Sequence, residues 1–280
     1  MLVDVGVNLL NGQFRRDTEA ILSRAQAAGV KDLLVIATDL ESSAEAIAIV
    51  EARGLRCTAG VHPHDAKEVT SGWQQRLKEL AQHPRVCAVG ETGLDFNRNY
   101  SPPEQQLEVF SEQISIAQDI DKPLYVHDRE SRGELLNLLT AAGTLPPVLV
   151  HCFTGTPAEL DAYLSADFHI GITGWVTDPK RGETLRQLVP QIPLERLLIE
   201  TDAPFLRPFN VPADWLGQHG LSSRHKRRCE PAMLPYVLEC LAQLRDEPAA
   251  EIAAATTANA HRLFGVGQPA GREISAPDRQ

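Results

Sequence analysis

Short apolar runs alternate with amphipathic stretches along almost the whole chain. Residues 2–10, 32–39, 55–61, 86–91, 123–127, 147–151, 168–173 and 197–202 read as strands, each a brief apolar run of the kind a buried strand shows. Between them, residues 17–28, 42–53, 73–82, 103–120, 130–141, 157–165 and 179–188 read as helices. Gly29 and Gly54 follow two of these stretches, where a left-handed residue closes a helix. Strand alternating with helix implies right-handed crossovers and a parallel sheet. From Val3 to Leu198 the repeat averages roughly 28 residues, one strand–helix unit, and eight such units make a (β/α)8 barrel, an α/β fold. An open doubly wound sheet usually has fewer strands and a glycine-rich first turn, and neither G-x-G-x-x-G nor G-x-x-x-x-G-K-[S/T] follows a strand here. An irregular stretch, 203–230, then precedes two further helices, 233–245 and 248–264. A single domain over residues 1–265 is expected, with a flexible tail over 266–280.

Composition narrows the function. At 280 residues and 43% hydrophobic, the chain can bury a full-sized core. It has no run of about 18 apolar residues and no charged leader, so neither a membrane span nor a signal peptide is expected. The five cysteines form no C-x-x-C pair, which fits a reducing cytoplasm and argues against a thiolate zinc site. A net charge of −10 gives no general attraction to nucleic acid, so a polyanionic substrate needs a local basic patch. Nothing in the pattern marks an oligomer seam, and a monomer is the default.

The strand ends change the picture. The apolar run 86–90 stops at a carboxylate, Glu91, before a polar loop containing Gly93. The third strand leads to His62 and His64, the fifth ends at His127, the sixth at His151 and the eighth at Asp202. In a barrel, the carboxyl ends of all strands open on one face. Imidazoles and carboxylates converging there make a metal site with open coordination positions.

These residues sit in recognisable blocks: Ala59-Gly60-Val61-His62-Pro63-His64, Gly90-Glu91-Thr92-Gly93-Leu94-Asp95, Val126-His127-Asp128-Arg129, Leu149-Val150-His151-Cys152-Phe153-Thr154-Gly155 and Glu200-Thr201-Asp202-Ala203-Pro204. In that order they resemble the TatD family of metal-dependent deoxyribonucleases, over about residues 1–265. The resemblance implies an amidohydrolase-like barrel. It also implies a Mg²⁺-dependent nuclease with 3′→5′ exonuclease activity on single-stranded DNA or RNA, serving DNA repair or DNA degradation. By the same resemblance Glu91, His127 and His151 bind metal. Two imidazoles and a carboxylate chemically favour Zn²⁺ or Mn²⁺, but the resemblance implies Mg²⁺, which is the first expectation with the other two as alternatives. One departure stands out. Many relatives begin Asp-x-His-x-His, whose histidines hold a second metal, whereas this chain reads Asp4-Val5-Gly6-Val7-Asn8. A subgroup of the family is similar here, so the change puts a tight two-metal site in doubt without implying lost activity.

Asp202 is the candidate to orient or deprotonate water, or is itself a ligand. His62 and His64 are candidates to contact phosphate, and His62 to protonate the leaving oxygen. The basic run Ser222-Ser223-Arg224-His225-Lys226-Arg227-Arg228 follows the eighth strand, which makes Arg227 and Arg228, together with Arg129 and Arg98, candidate phosphate contacts. Trp175 and Phe153 are candidate base-stacking residues, equally readable as packing. Two competing functions use the same residues: a small-molecule amidohydrolase or lactonase, and a non-catalytic metal-binding barrel.

Overall fold

A computed structural model describes residues 1–266. Eight strands lie in one parallel sheet in sequence order: β1 Leu2–Val7, β2 Val30–Val35, β3 Arg56–Ala59, β4 Val86–Asp95, β5 Leu124–Arg129, β6 Val148–His151, β7 His169–Ile172 and β8 Leu197–Ile199. The last strand returns to the first. Val7 bridges Ala203, the Asp202 amide donates to the Gly6 carbonyl (2.9 Å) and the Asn8 amide to the Ala203 carbonyl (2.8 Å). The expected (β/α)8 barrel is therefore the observed fold. The tail expected over 266–280 lies, apart from Val266, outside the described residues.

The helices are α1 Thr18–Ala27, α2 Leu40–Arg53, α3 Trp73–Ala81, α4 Pro103–Ile120, α5 Glu134–Ala141, α6 Pro157–Ser165, α7 Glu183–Leu188, α8 Trp215–Gln218, α9 Leu234–Leu244 and α10 Ala249–Phe264. Their ends follow local chemistry. Asp39 and Ser42 form a capping box, so α2 starts two residues before the predicted Ser42. Thr156 and Glu159 do the same for α6, with Pro157 as its first residue. Two predicted helices start later than expected. β5 runs on to Arg129 and Glu130 takes a positive φ, which delays α5 to Glu134. The Asp178 carboxylate accepts from the Lys180 and Arg181 amides, and that turn delays α7 to Glu183.

Two apolar clusters hold the layers together. One joins the outer strand faces to the helices, for example Val35, Val89 and Val126 with Ile21, Leu77 and Phe110. The other fills the barrel, where Val5, Ile36, Leu149 and Leu198 meet Leu263 and Phe264 of α10. α10 thus packs into the barrel interior, and its Phe264 ring lies 6.3 Å from that of Tyr125. Truncating the fully buried Phe264 to Ala would cost about 3–5 kcal/mol. With the interior filled, the mouth at the carboxyl ends is where a cleft can form.

Candidate metal centre and cleft

The mouth opens as a cleft of about 710 Å³. Glu91, His62, His64, His127, His151 and Asp202 all line it, so each strand-end residue picked from the sequence arrives at one place. Three imidazole nitrogens converge on a single oxygen, Glu91 Oε1. His127 Nδ1 lies 3.2 Å away, His62 Nε2 3.3 Å and His151 Nε2 3.6 Å. β4 does not stop at Glu91 as predicted. It continues to Asp95, and Gly93 is a strand residue rather than part of a loop. A Cβ at Gly93 would fall 2.0 Å from the His127 carbonyl, so only glycine lets β4 and β5 approach this closely.

The longer strand brings in a residue that sequence reasoning missed. Asp95 lies four positions past Glu91, an even spacing that puts both carboxylates on one strand face. Its Oδ2 is 2.7 Å from His64 Nε2 and 3.4 Å from His127 Nε2. His127 therefore spans two carboxylates, and its buried Nε2 makes no hydrogen bond. Ligand atoms placed cis around a small divalent cation stand about 3 Å apart, and the N···O separations around Glu91 are of that size. The mixed imidazole–carboxylate set around Glu91 Oε1 fits a divalent cation, and the orphaned His127 Nε2 faces Asp95 at the edge of that cluster.

Electrostatics match that geometry. Burial alone would raise the Glu91 pKa, but the His62, His151 and His127 imidazoles hold it well below the usual carboxylate range. Burial likewise acts against charge on His127 and His151. The Asp95 and Glu91 contacts nevertheless raise His127 to about 9, and Glu200 and Glu91 raise His151 to about 10. His62 differs: burial lowers it to about 4, which Glu91 only partly offsets. Its Nδ1 accepts from the His64 amide (3.1 Å), capping the turn that starts at Pro63, while its Nε2 faces Glu91. One histidine thus anchors the loop and lines the site. Burial raises Asp202 to about 7, with Glu91 and Glu200 adding to the rise. The Asn8 side-chain amide donates to its Oδ1 at 3.0 Å. Cys152 and Asp202 both hold positive φ, 46° and 55°, backbone conformations that non-glycine residues rarely take outside functional or tightly held positions.

Below His151 lies a second arrangement the sequence did not reveal. Glu200, fully buried, accepts from the Tyr125 hydroxyl (2.6 Å), the His151 Nδ1–H (2.8 Å) and the Cys152 amide (2.6 Å). Its carboxylate sits in a slot made by two glycines. A Cβ at Gly6 would lie 2.5 Å from Glu200 Oε2, and one at Gly171 2.4 Å from Oε1. The space beside Gly6 is therefore already filled. His151, Cys152 and Asp202 form a second group whose ligand-type atoms lie within 4.8 Å of one another, after His62, Glu91 and His127.

The basic loop divides. Arg227 is exposed and lines the cleft, as do Arg98 and Arg129. The substrate role expected of Arg228 is not met. Its guanidinium is buried, bonded to Asp17 (2.8 and 3.1 Å), Glu230 (2.5 Å) and the Gln13 carbonyl (2.9 Å), while Arg24 grips the other side of Glu230. Arg227 and Arg228 leave the turn after residues 223–225 in opposite directions, one exposed and one buried, and a charge run does not say which one turns inward. Phe153 is buried against Tyr163 and does not reach the cleft, whereas Trp175 lines it.

A (β/α)8 barrel with a histidine–carboxylate cluster at its carboxyl-end mouth has the architecture of a metal-assisted hydrolase. The sequence profile of the TatD-related DNases matches residues 3–265, and the chain belongs to that family. It is 43% identical over 268 residues to a protein of Escherichia fergusonii named 3′-5′ ssDNA/RNA exonuclease TatD, covering 95% of this chain and 99% of the relative. It is 42% identical over 267 residues to the protein of the same name from Escherichia coli K12, covering 95% and 99%. A TatD homologue of known crystal structure from Escherichia coli K12 superposes with a TM-score of 0.83 at 29% identity, over 94% of this chain and 98% of the other. Family membership makes the chain a hydrolase of phosphodiester bonds. No helix among the described residues is long and apolar enough to cross a membrane.

Proposed function

We propose that this protein is a divalent-metal-dependent 3′→5′ exonuclease acting on single-stranded DNA and RNA, with residues 1–265 as one catalytic domain. The observation that carries the reading is the convergence of His62, His127 and His151 on Glu91 Oε1 at 3.2–3.6 Å, inside a cleft lined by arginines. The family and the named relatives support the same activity.

Glu91, His127 and His151 are the residues we assign to hold the cation, with Mg²⁺ first and Mn²⁺ or Zn²⁺ as alternatives. Such an ion supplies Lewis-acid chemistry, polarising a phosphoryl oxygen and making water more acidic. Asp202, steadied by the Asn8 amide, orients the attacking water and receives its proton. The phosphorus–O3′ bond then breaks, the departing 3′ oxygen takes up a proton from solvent water and Asp202 returns its own to solvent, leaving a 5′-mononucleotide and a strand shorter by one. His62, committed to Glu91 and to the His64 amide, serves better to position Glu91 than to donate that proton. His64, Arg129 and Arg227 contact the phosphates from the cleft wall. The five cysteines are free thiols, which supports a cytoplasmic enzyme; we take it as a monomer working on DNA repair or degradation.

The test is purified protein with end-labelled single-stranded DNA, with and without EDTA. Stepwise shortening from the 3′ end that EDTA abolishes is the expected result. Internal cutting, EDTA-resistant cutting or an intact strand would refute it, and wild-type turnover by His151→Ala would refute the ligand assignment.

A further inference from the structure

Among the described residues the exposed aromatic rings are Tyr100, Phe205 and Phe209, and all three stand on loops that follow β4 and β8. They therefore belong to the mouth end of the barrel and not to its helical flank. One of them, Phe205, lines the cleft together with Trp175. It is 48% exposed and sits three residues past Asp202. Its loop is locked to the segment after β7. The Phe209 amide donates to Thr177 Oγ1 (2.8 Å), and a Cβ at Gly174 would lie 2.1 Å from the Leu206 carbonyl oxygen.

Trp175 is held in that segment with its plane set. The Arg181 guanidinium lies over the indole at 4.2 Å, and the indole N–H donates to the Arg181 carbonyl (3.2 Å). Arg181 is itself fixed by Asp178, Nε to Oδ2 at 2.7 Å. Packing does not account for the wall, since a phenyl ring half in water at an active-site mouth contributes little to the core. Two flat surfaces stand ready in a cleft whose cations are arginines. Nucleobases stack on aromatic and guanidinium planes alike, and only an unpaired base can enter such a wall.

We infer that Phe205 and the Trp175–Arg181 stack form a nucleobase-binding wall that holds unpaired bases beside the scissile phosphate and selects single strands. This deepens the nuclease reading and rests on it. The arginines on the same cleft, Arg98, Arg129 and Arg227, supply the charge for the accompanying phosphates.

The probe is a short single-stranded oligodeoxynucleotide with 2-aminopurine next to its 3′ end, mixed with wild type, Phe205→Ala, Trp175→Ala and Phe205→Tyr in EDTA. Stacking quenches the fluorophore. Wild type and Phe205→Tyr are expected to quench, and the alanine variants to bind roughly 5- to 150-fold more weakly. With Mg²⁺ present, the same variants raise KM far more than they lower kcat. On a strand carrying an abasic tetrahydrofuran residue at that position, the gap between wild type and variants closes. Thermal unfolding verifies that each variant is folded. Alanine variants within twofold of wild type on the base-containing strand, or a gap that persists on the abasic strand, would overturn the wall. Wild type that quenches but never cuts would instead overturn the nuclease reading and leave the wall standing.

Discussion

Replacing Glu200 by Gln tests how the cation site is built. Gln fills the slot between Gly6 and Gly171 without adding volume. The Cys152 amide donates to Oε1 at 2.6 Å, so the new carbonyl oxygen must stay there. The new NH₂ then faces the Tyr125 hydroxyl and His151 Nδ1, 2.6 and 2.8 Å from the original oxygen. In the neutral ring that can ligate a metal, Nδ1 can answer an N–H only as an acceptor, which moves the single ring proton to Nε2. That nitrogen is the one facing Glu91, and a protonated nitrogen cannot bind a metal. Losing a hydrogen bond to a buried carboxylate amounts to about 1.5–3 kcal/mol, which is roughly 10- to 150-fold in cation affinity. Calorimetric titration of Mn²⁺ into wild type and Glu200→Gln reads this directly, with circular dichroism to establish that the variant is folded. A folded variant whose affinity stays within twofold of wild type would show that Glu200 does not set the His151 tautomer.

Three further outcomes follow from other parts of the structure. Gly6→Ala drives a methyl to 2.5 Å from Glu200 Oε2 and 2.7 Å from the Tyr125 hydroxyl, so thermal unfolding should show a loss of about 1–3 kcal/mol; an unchanged melting temperature would mean the slot yields. Arg228→Met leaves Glu230 buried with Arg24 as its remaining cation and should cost about 3 kcal/mol or more in denaturant unfolding, while KM for oligonucleotide stays put; Arg227→Ala should do the reverse, raising KM and flattening its salt dependence. Burial raises the Asp4 carboxyl from 3.8 to about 7, against the hydrogen bonds from Thr201 and Gly6. A raised folded-state pKa means the folded protein binds the proton more tightly. Its contribution is complete below about pH 4 and fades as pH rises through 7, so wild type should lose a few kcal/mol relative to Asp4→Asn across that window, and parallel stability curves would refute it.

The barrel was readable because its strands are buried on both faces and its helices carry ordinary caps and apolar stripes. Where the reading slipped, the cause was local chemistry. Gly93 looks like a loop signal, yet it marks the closest approach of β4 to β5. Read as a loop, it ends the strand at Glu91 and leaves Asp95 outside the site. His62, His127, His151 and Asp202 stood out as ligand-type residues at strand ends. Glu200 and Tyr125 did not, because a residue one layer below the mouth carries no sign of what lies across the barrel from it. Arg227 and Arg228 are indistinguishable in sequence, and only the position of Asp17 and Glu230 separates them.

The same slot explains the departure at the first strand. Gly6 is not simply a position that lost a side chain, since the Glu200 carboxylate and the Tyr125 hydroxyl occupy the volume a Cβ there would need. A histidine placed at position 6 alone would collide with the pair that holds His151, rather than add a ligand. Asn8 is engaged as well, its side-chain amide donating to Asp202. Both changes therefore tie the first strand to residues around the Glu91 cluster, His151 through Glu200 and Asp202 directly. If that coupling is right, Gly6→His should bind Mn²⁺ more weakly than wild type and with no added stoichiometry, whereas Gly6→His combined with Glu200→Gly, which empties the slot, should recover part of the lost fold stability. A single Gly6→His variant that binds a second ion per chain would show that the slot does not exclude a first-strand ligand.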